Sequence, residues 1–245
     1  MRLDRPEPAD TRGSVVADLP LEDRGASRAG GDRLTADVPD VAEYRATVDA
    51  VYRQYAIDQG CSRVREIEEH VTTPAMRRIE SEDPTRHLTG LENRLKSEDR
   101  LTEKVDNWLK ADATLTHEAA FGLVKDAIRY TLQYPDDRYA DGVRADCARL
   151  QSQGFEPVDL KNSWTGTEYR GINTRWRAPE SGQLFEVQFH TRASYEAKEE
   201  THSAYERIRD PSTPHAEITG FRDYQREVCA KVPVPPGATD IQNYH

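Results

Sequence analysis

LFEVQFHT, residues Leu184–Thr191, is the stretch on which the fold turns. A period of two puts Glu186, Gln188 and His190 on one face and Phe185, Val187 and Phe189 on the other, as a pleated strand requires. Taken alone, the pattern describes an antiparallel strand with one wet face. Its neighbours add to it. GINTRWR (171–177) is a second strand, joined to the first through 178–183, where Pro179 and Gly182 mark a hairpin. FEPVDLK (155–161) is a third. Further upstream, AIRYTLQY (127–134) alternates and closes at Pro135-Asp136-Asp137. It leads into a helix carrying Val143, Cys147 and Leu150 that stops at Gly154, which is a β-α-β signal.

Before these strands the period is helical. Leu101, Val105 and Leu109 align on one face, and Thr114 or Thr116 caps a short helix after them. Asp40 and Glu43 resemble a capping box, and Tyr44, Val48, Val51 and Tyr55 follow helical spacing up to Gly60, which is read as the stop. That helix is expected to pack on the domain. A second one from Ser62 carries Val64, Ile67 and Val71, breaks at Pro74 and continues through Ile79. A charged helix spans Ala193–Arg209 and ends at Asp210-Pro211, and VPVPPGATDIQNYH (232–245) reads as extended or disordered. Residues 1–39 contain no aromatic residue, four prolines and four glycines, too little apolar surface to offset the entropy of ordering. The expected organisation is a flexible leader over 1–39, one domain over 40–210 and a C-terminal extension over 211–245.

The charged fraction of 32% and the lack of a run of about 18 apolar residues exclude a membrane-spanning reading. MRLDRPEPAD lacks the apolar segment of a secretory signal, so the expected site of action is cytoplasmic. Delivery into a target cell as part of a secreted toxin is compatible with this. Cys61, Cys147 and Cys229 are odd in number and widely spaced, which suits structural roles in a reducing compartment. A net charge of −10 speaks against a broad nucleic-acid-coating surface, while a local basic pocket is allowed.

Two carboxylates stand out, Glu186 on LFEVQFHT and Asp126 as the first residue of the strand that starts after Lys125, with Arg129 three residues on. A divalent cation relieves the repulsion of such a pair while gripping phosphate oxygens, and Mg²⁺ is the natural choice. RLKSEDRLTEK (94–104) offers Arg94, Lys96, Arg100 and Lys104 around Ser97, cations that suit a polyphosphate, interleaved with acids that suit a solvated helix.

In order, the Arg-x-Lys-Ser run, Asp126 with Arg129, Tyr169-Arg170-Gly171-Ile172-Asn173, Glu186-x-Gln188-x-His190-Thr191, and His202 with Tyr205-Glu206 resemble the synthetase domain of RelA/SpoT proteins. The resemblance spans about Leu91–Arg209 and is closest to the toxin-type members. It implies a nucleotidyltransferase-like α/β (α+β) fold, a mixed β-sheet flanked by helices. It also implies Mg²⁺-dependent transfer of the β,γ-pyrophosphate of ATP to a ribose hydroxyl, without hydrolase activity. Under it Arg94, Lys96, Ser97, Arg100 and Lys104 bind ATP. Asp126 and Glu186 ligate Mg²⁺, and both act in catalysis with Arg129. Lys161, Trp164, Tyr169, Asn173, Gln188, His190 and His202 line the acceptor site. The acceptor is left open between GDP or GTP, an adenine nucleotide and the 3′ end of tRNA, because YRGIN departs from the housekeeping pattern. A cognate immunity or antitoxin protein is the partner implied for a toxin, and a catalytically inactive nucleotide-binding module is the rival reading.

Overall fold

A computed structural model describes residues 40–244, so the leader expected over 1–39 lies outside the described residues. Five strands, β1 (His87–Thr89), β2 (Arg129–Tyr134), β3 (Glu156–Asn162), β4 (Ile172–Arg177) and β5 (Leu184–Thr191), form one mixed sheet in the order β1-β2-β5-β4-β3. β2 and β5 run parallel and every other pair is antiparallel. The expected mixed sheet flanked by helices is present.

β5 lies between β2 and β4, and its sequence explains why. Phe185, Val187 and Phe189 are fully buried, and on the same face Tyr130, Leu132, Ile172 and Trp176 complete the layer. Helix α5 (Tyr139–Ser152) crosses this face, donating from the Tyr139 hydroxyl to the Phe189 carbonyl at 2.8 Å. It stops where Gly154 takes φ +88, a conformation that glycine adopts without steric cost.

Before the sheet, α1 (Val41–Ile67) runs through Gly60 without a break. Gly60 is not a stop. A Cβ there would collide with the ring of Phe121, whose helix α4 (His117–Gly122) crosses at that point, so glycine serves the close approach of two helices. The buried face of α1 starts at Ile57. Val41, Tyr44, Val51, Tyr52 and Tyr55 are exposed, contrary to the expectation that this half packs on the domain. One π-helical turn (Glu68–Thr72) follows and runs directly into α2 (Thr73–Ser81), so Pro74 stands in the first turn of α2 without the break expected there. α3 spans Glu98–Ala111.

The charged helix expected over 193–209 is two helices, α6 (Arg192–Glu200) and α7 (His202–Arg209), hinged at Thr201, whose hydroxyl bonds back to the Ala197 carbonyl at 2.8 Å. α8 (His215–Ala230) packs on both. The segment after it is not loose. Val232, Ala238 and Ile241 are buried, Asn162 holds the carbonyls of Ala238 and Ile241 at 2.8 and 2.9 Å, and Tyr244 bridges to Leu160. This tail covers the otherwise open edge of β3. No helix among the described residues is long and apolar enough to cross a membrane.

Replacing Gly60 with alanine raises helix propensity, but it drives a methyl group into a packed ring. Gly60→Ala is expected to destabilise the chain by about 1–3 kcal/mol in urea denaturation, with Phe121→Leu recovering part of the loss.

Candidate functional site

The polar face of the sheet carries its charges in a row. Register places Arg129 of β2 beside Glu186 of β5, Glu186 beside Arg175 of β4, and Arg175 beside Asp159 of β3, so signs alternate across four strands. The next row is Thr131, Gln188, Asn173 and Lys161. Opposite charges on neighbouring strands attract, and the pleat keeps each row on one face.

A cavity of about 390 Å³ opens over these rows, walled by Lys104, Lys125, Asp126, Asp159, Lys161, Asn173, Arg175 and Glu186 together with Trp108, Leu123 and Val124. A second cavity of about 610 Å³ lies between α5, β3 and the C-terminal tail, but its walls bring together no comparable set of charges. Convergent ionisable groups single out the first.

Asp126 stands in the turn before β2, not on the strand as the sequence suggested. Lys104 Nζ reaches its two carboxylate oxygens at 2.7 and 2.9 Å, and Lys96 Nζ lies 3.1 Å away. Burial acts to raise the pKa of Asp126, but the hydrogen bond from Lys104 and the two ammonium charges outweigh it, so the carboxyl is held below its ordinary range. Glu186 behaves oppositely. Burial dominates and pushes its pKa up against the Gln188 amide, which donates to Oε1 at 2.5 Å, and against the charge of Arg129.

The remaining predicted residues divide. Lys161 and Asn173 line the cavity, and Gln188 orients Glu186 from the adjacent row. Arg94 is engaged elsewhere, donating to the buried Glu68 at 2.6 Å. Ser97 caps α3, and Arg100 points outward to Glu103 at 3.3 Å. Trp164 is a core residue, 1% exposed and edge-on to Tyr139 at 5.0 Å, so it offers no surface to an acceptor. His190 is wholly buried, exchanging hydrogen bonds with the Tyr169 hydroxyl at 2.9 Å and Ser194 at 2.8 Å, and burial pushes its pKa down to about 3. Neutral and enclosed, it supports Tyr169, whose hydroxyl also donates to Asn173 at 2.8 Å. His202 is half-exposed at the start of α7 beside Glu206 and does not line the cavity.

Asp159, Arg175, Lys125 and Trp108 were missed. The first two had a signal: alternation in FEPVDLK and GINTRWR sets Asp159 on one face with Lys161 and Arg175 with Asn173, two residues already named for the acceptor site.

Solved structures resemble the chain, among them these three. The Type VI effector Tas1, in complex with its immunity protein, aligns at a TM-score of 0.48 and 16% identity, covering 73% of this chain and 98% of Tas1. A GTP pyrophosphokinase family protein from Streptococcus pneumoniae gives the same score and identity over 73% and 87%. Small alarmone synthetase 1 from Bacillus subtilis gives 0.42 at 16% identity over 76% and 91%. No protein-family model matches the sequence, and no curated protein matches it.

The raised pKa of Glu186 has a consequence for stability. A carboxyl harder to ionise in the fold than in the unfolded chain stabilises the fold most below its ordinary pKa. That contribution is lost as pH rises through the higher folded value. The Tm of Glu186→Gln minus that of wild type should therefore increase as pH rises above about 4.3. A difference that does not change with pH across the acid-to-neutral range would contradict the assignment.

Proposed function

We propose that the chain is a pyrophosphokinase that transfers the β,γ-pyrophosphate of ATP to a ribose hydroxyl of a nucleotide acceptor, acting as a toxin. The observation that carries this reading is one cavity holding Asp126 under two lysines and, across the first strand rows, Glu186 between two arginines. The ordered motifs resembling RelA/SpoT synthetases support the same reaction.

In this reading Lys96 and Lys104, the two lysines on Asp126, meet the polyphosphate of ATP, and Arg129, paired across β2 and β5 with Glu186, adds a third cation. The acceptor hydroxyl attacks the β-phosphorus, the bond to the α-phosphate's bridging oxygen breaks, and AMP leaves with that oxygen. Glu186 takes the hydroxyl proton. Its raised pKa suits this role, because a base works best when its pKa approaches the working pH. Gln188 holds Oε1 and so restrains the carboxylate on the cavity wall.

The donor set fits Mg²⁺. Asp126 and Glu186 are hard oxygen ligands on one cavity, and this ion commonly takes one or two carboxylates, with waters and substrate phosphates supplying the rest. When bound, the ion neutralises phosphate charge and polarises the phosphorus under attack.

Purified full-length protein incubated with γ-labelled ATP, Mg²⁺ and guanine or adenine nucleotides is expected to transfer label to the acceptor, with AMP formed in equal amount. Glu186→Gln should lower kcat by about 10²–10⁴-fold, and Lys104→Met should raise the KM for ATP. Label released only as phosphate, or Glu186→Gln turning over like wild type, would refute the assignment.

A further inference from the structure

We propose that the first half of α1 pairs, two-fold and antiparallel, with the same helix of a second copy, so that the chain is a homodimer whatever reaction it catalyses.

The helix changes character after Tyr55. Val41, Tyr44, Val48, Val51 and Tyr55 recur at steps of three, four, three and four, the spacing of a coiled-coil seam, and Tyr52 lies beside them. All but the half-buried Val48 are between 63% and 71% exposed. Beyond them the buried residues Ile57, Cys61 and Val64 take over on another side. At about 100° per residue the two stripes stand roughly 150° apart, so the seam points away from the domain that holds the helix. Arg53, on the domain side, meets Asp106 of α3 at 2.5 Å. Three tyrosines and three valines together offer on the order of 700 Å² per copy, close to the ~800 Å² that each partner gives to a standard specific interface.

The seam is complementary to itself. A two-fold axis between Asp49 and Ala50 sets Tyr44 against the partner's Tyr55 and Val48 against the partner's Val51, aromatic on aromatic at the ends and valine on valine at the centre. The same axis brings Arg45 to the partner's Tyr52, a cation beside a ring. Between residues 41 and 56 two acids, Glu43 and Asp49, balance two arginines, Arg45 and Arg53. Copies of a chain whose net charge is −10 therefore meet on a stretch that does not repel. Antiparallel pairing also keeps the two domains, each packed on its helix from Ile57 onward, at opposite ends of the pair, whereas parallel pairing would set two acidic domains side by side.

Sedimentation velocity of the full-length chain should give twice the 27.9 kDa of one copy at micromolar concentration, with dissociation on dilution. The double variant Tyr44→Glu/Val51→Glu, changed only at exposed positions, should sediment as a monomer with the circular dichroism of wild type. Tyr44→Cys mixed with Tyr55→Cys should form an intermolecular disulfide under mild oxidation. Neither variant alone should form it, because the two-fold leaves like positions about 16 Å apart along the helices, and wild type with its native cysteines is the blank. A chain monomeric up to about 100 μM, a dimer that survives both glutamates, or Tyr44→Cys cross-linked to itself overturns the proposal. So does a monomer whose α1 amides are protected from hydrogen exchange, which would assign the seam to the chain's own residues 1–39.

Discussion

The structure depends on the placement of β5 between a parallel and an antiparallel neighbour. An internal strand has no edge and little access to water, so each polar residue on it needs a partner within the sheet. Glu186 meets this constraint by standing between Arg129 and Arg175, with Gln188 two residues on donating to its carboxylate. A slip of one residue in either pairing would turn Glu186 into the aromatic layer and Phe185 or Val187 toward the charges. The hydrophobic core and the charge row therefore specify the same register. Because Arg129 opens β2 and Glu186 lies near the start of β5, the charges gather at the amino-terminal ends of the parallel pair.

From that constraint follows a division of labour between two carboxylates on one cavity. Asp126 lies in a turn within reach of α3, whose Lys104 clamps it, while Lys96 approaches from the segment whose backbone bonds to Ala127 at 3.0 Å. Its charge is secured. Glu186 lies on an internal strand, and burial there outweighs the nearby arginine charges. Unlike surroundings thus push the pKa values of two acids on one cavity apart, down for Asp126 and up for Glu186.

Much of this was legible in the sequence because period two survives wherever a strand has two distinct faces. LFEVQFHT, GINTRWR and AIRYTLQY read as strands that the structure keeps, LFEVQFHT with both its faces, and Glu186, Asp126, Lys104, Lys161 and Asn173, named from residue types and the family resemblance, line one cavity. What failed was information that only packing supplies. Gly60 reads as a helix stop in one dimension, yet in three it is a contact with Phe121. The proline-rich tail reads as unstructured because its few apolar residues are scattered, and nothing local shows that Ala238 and Ile241 will meet the β3 edge. His190 and Trp164 are residue types common in ligand sites, and periodicity cannot separate a polar face that meets solvent from one roofed by a loop.

That roofing is itself a positioning device. The Ser163–Gly171 loop returns over the far rows of the sheet, where the Gly171 carbonyl accepts from Ser163 N at 2.9 Å and Tyr169 reaches both Asn173 and His190. Each contact removes a polar group from solvent and gives it one partner. Through them the α6 N-terminus, at Ser194, is linked to His190, Tyr169 and then Asn173 on the cavity wall. A chain of buried hydrogen bonds of this kind is costly to break at any member, because the next group is left without water or partner. Asn173 is thereby fixed from behind while Gln188 beside it fixes Glu186. His190 reaches the cavity wall only through Tyr169 and Asn173.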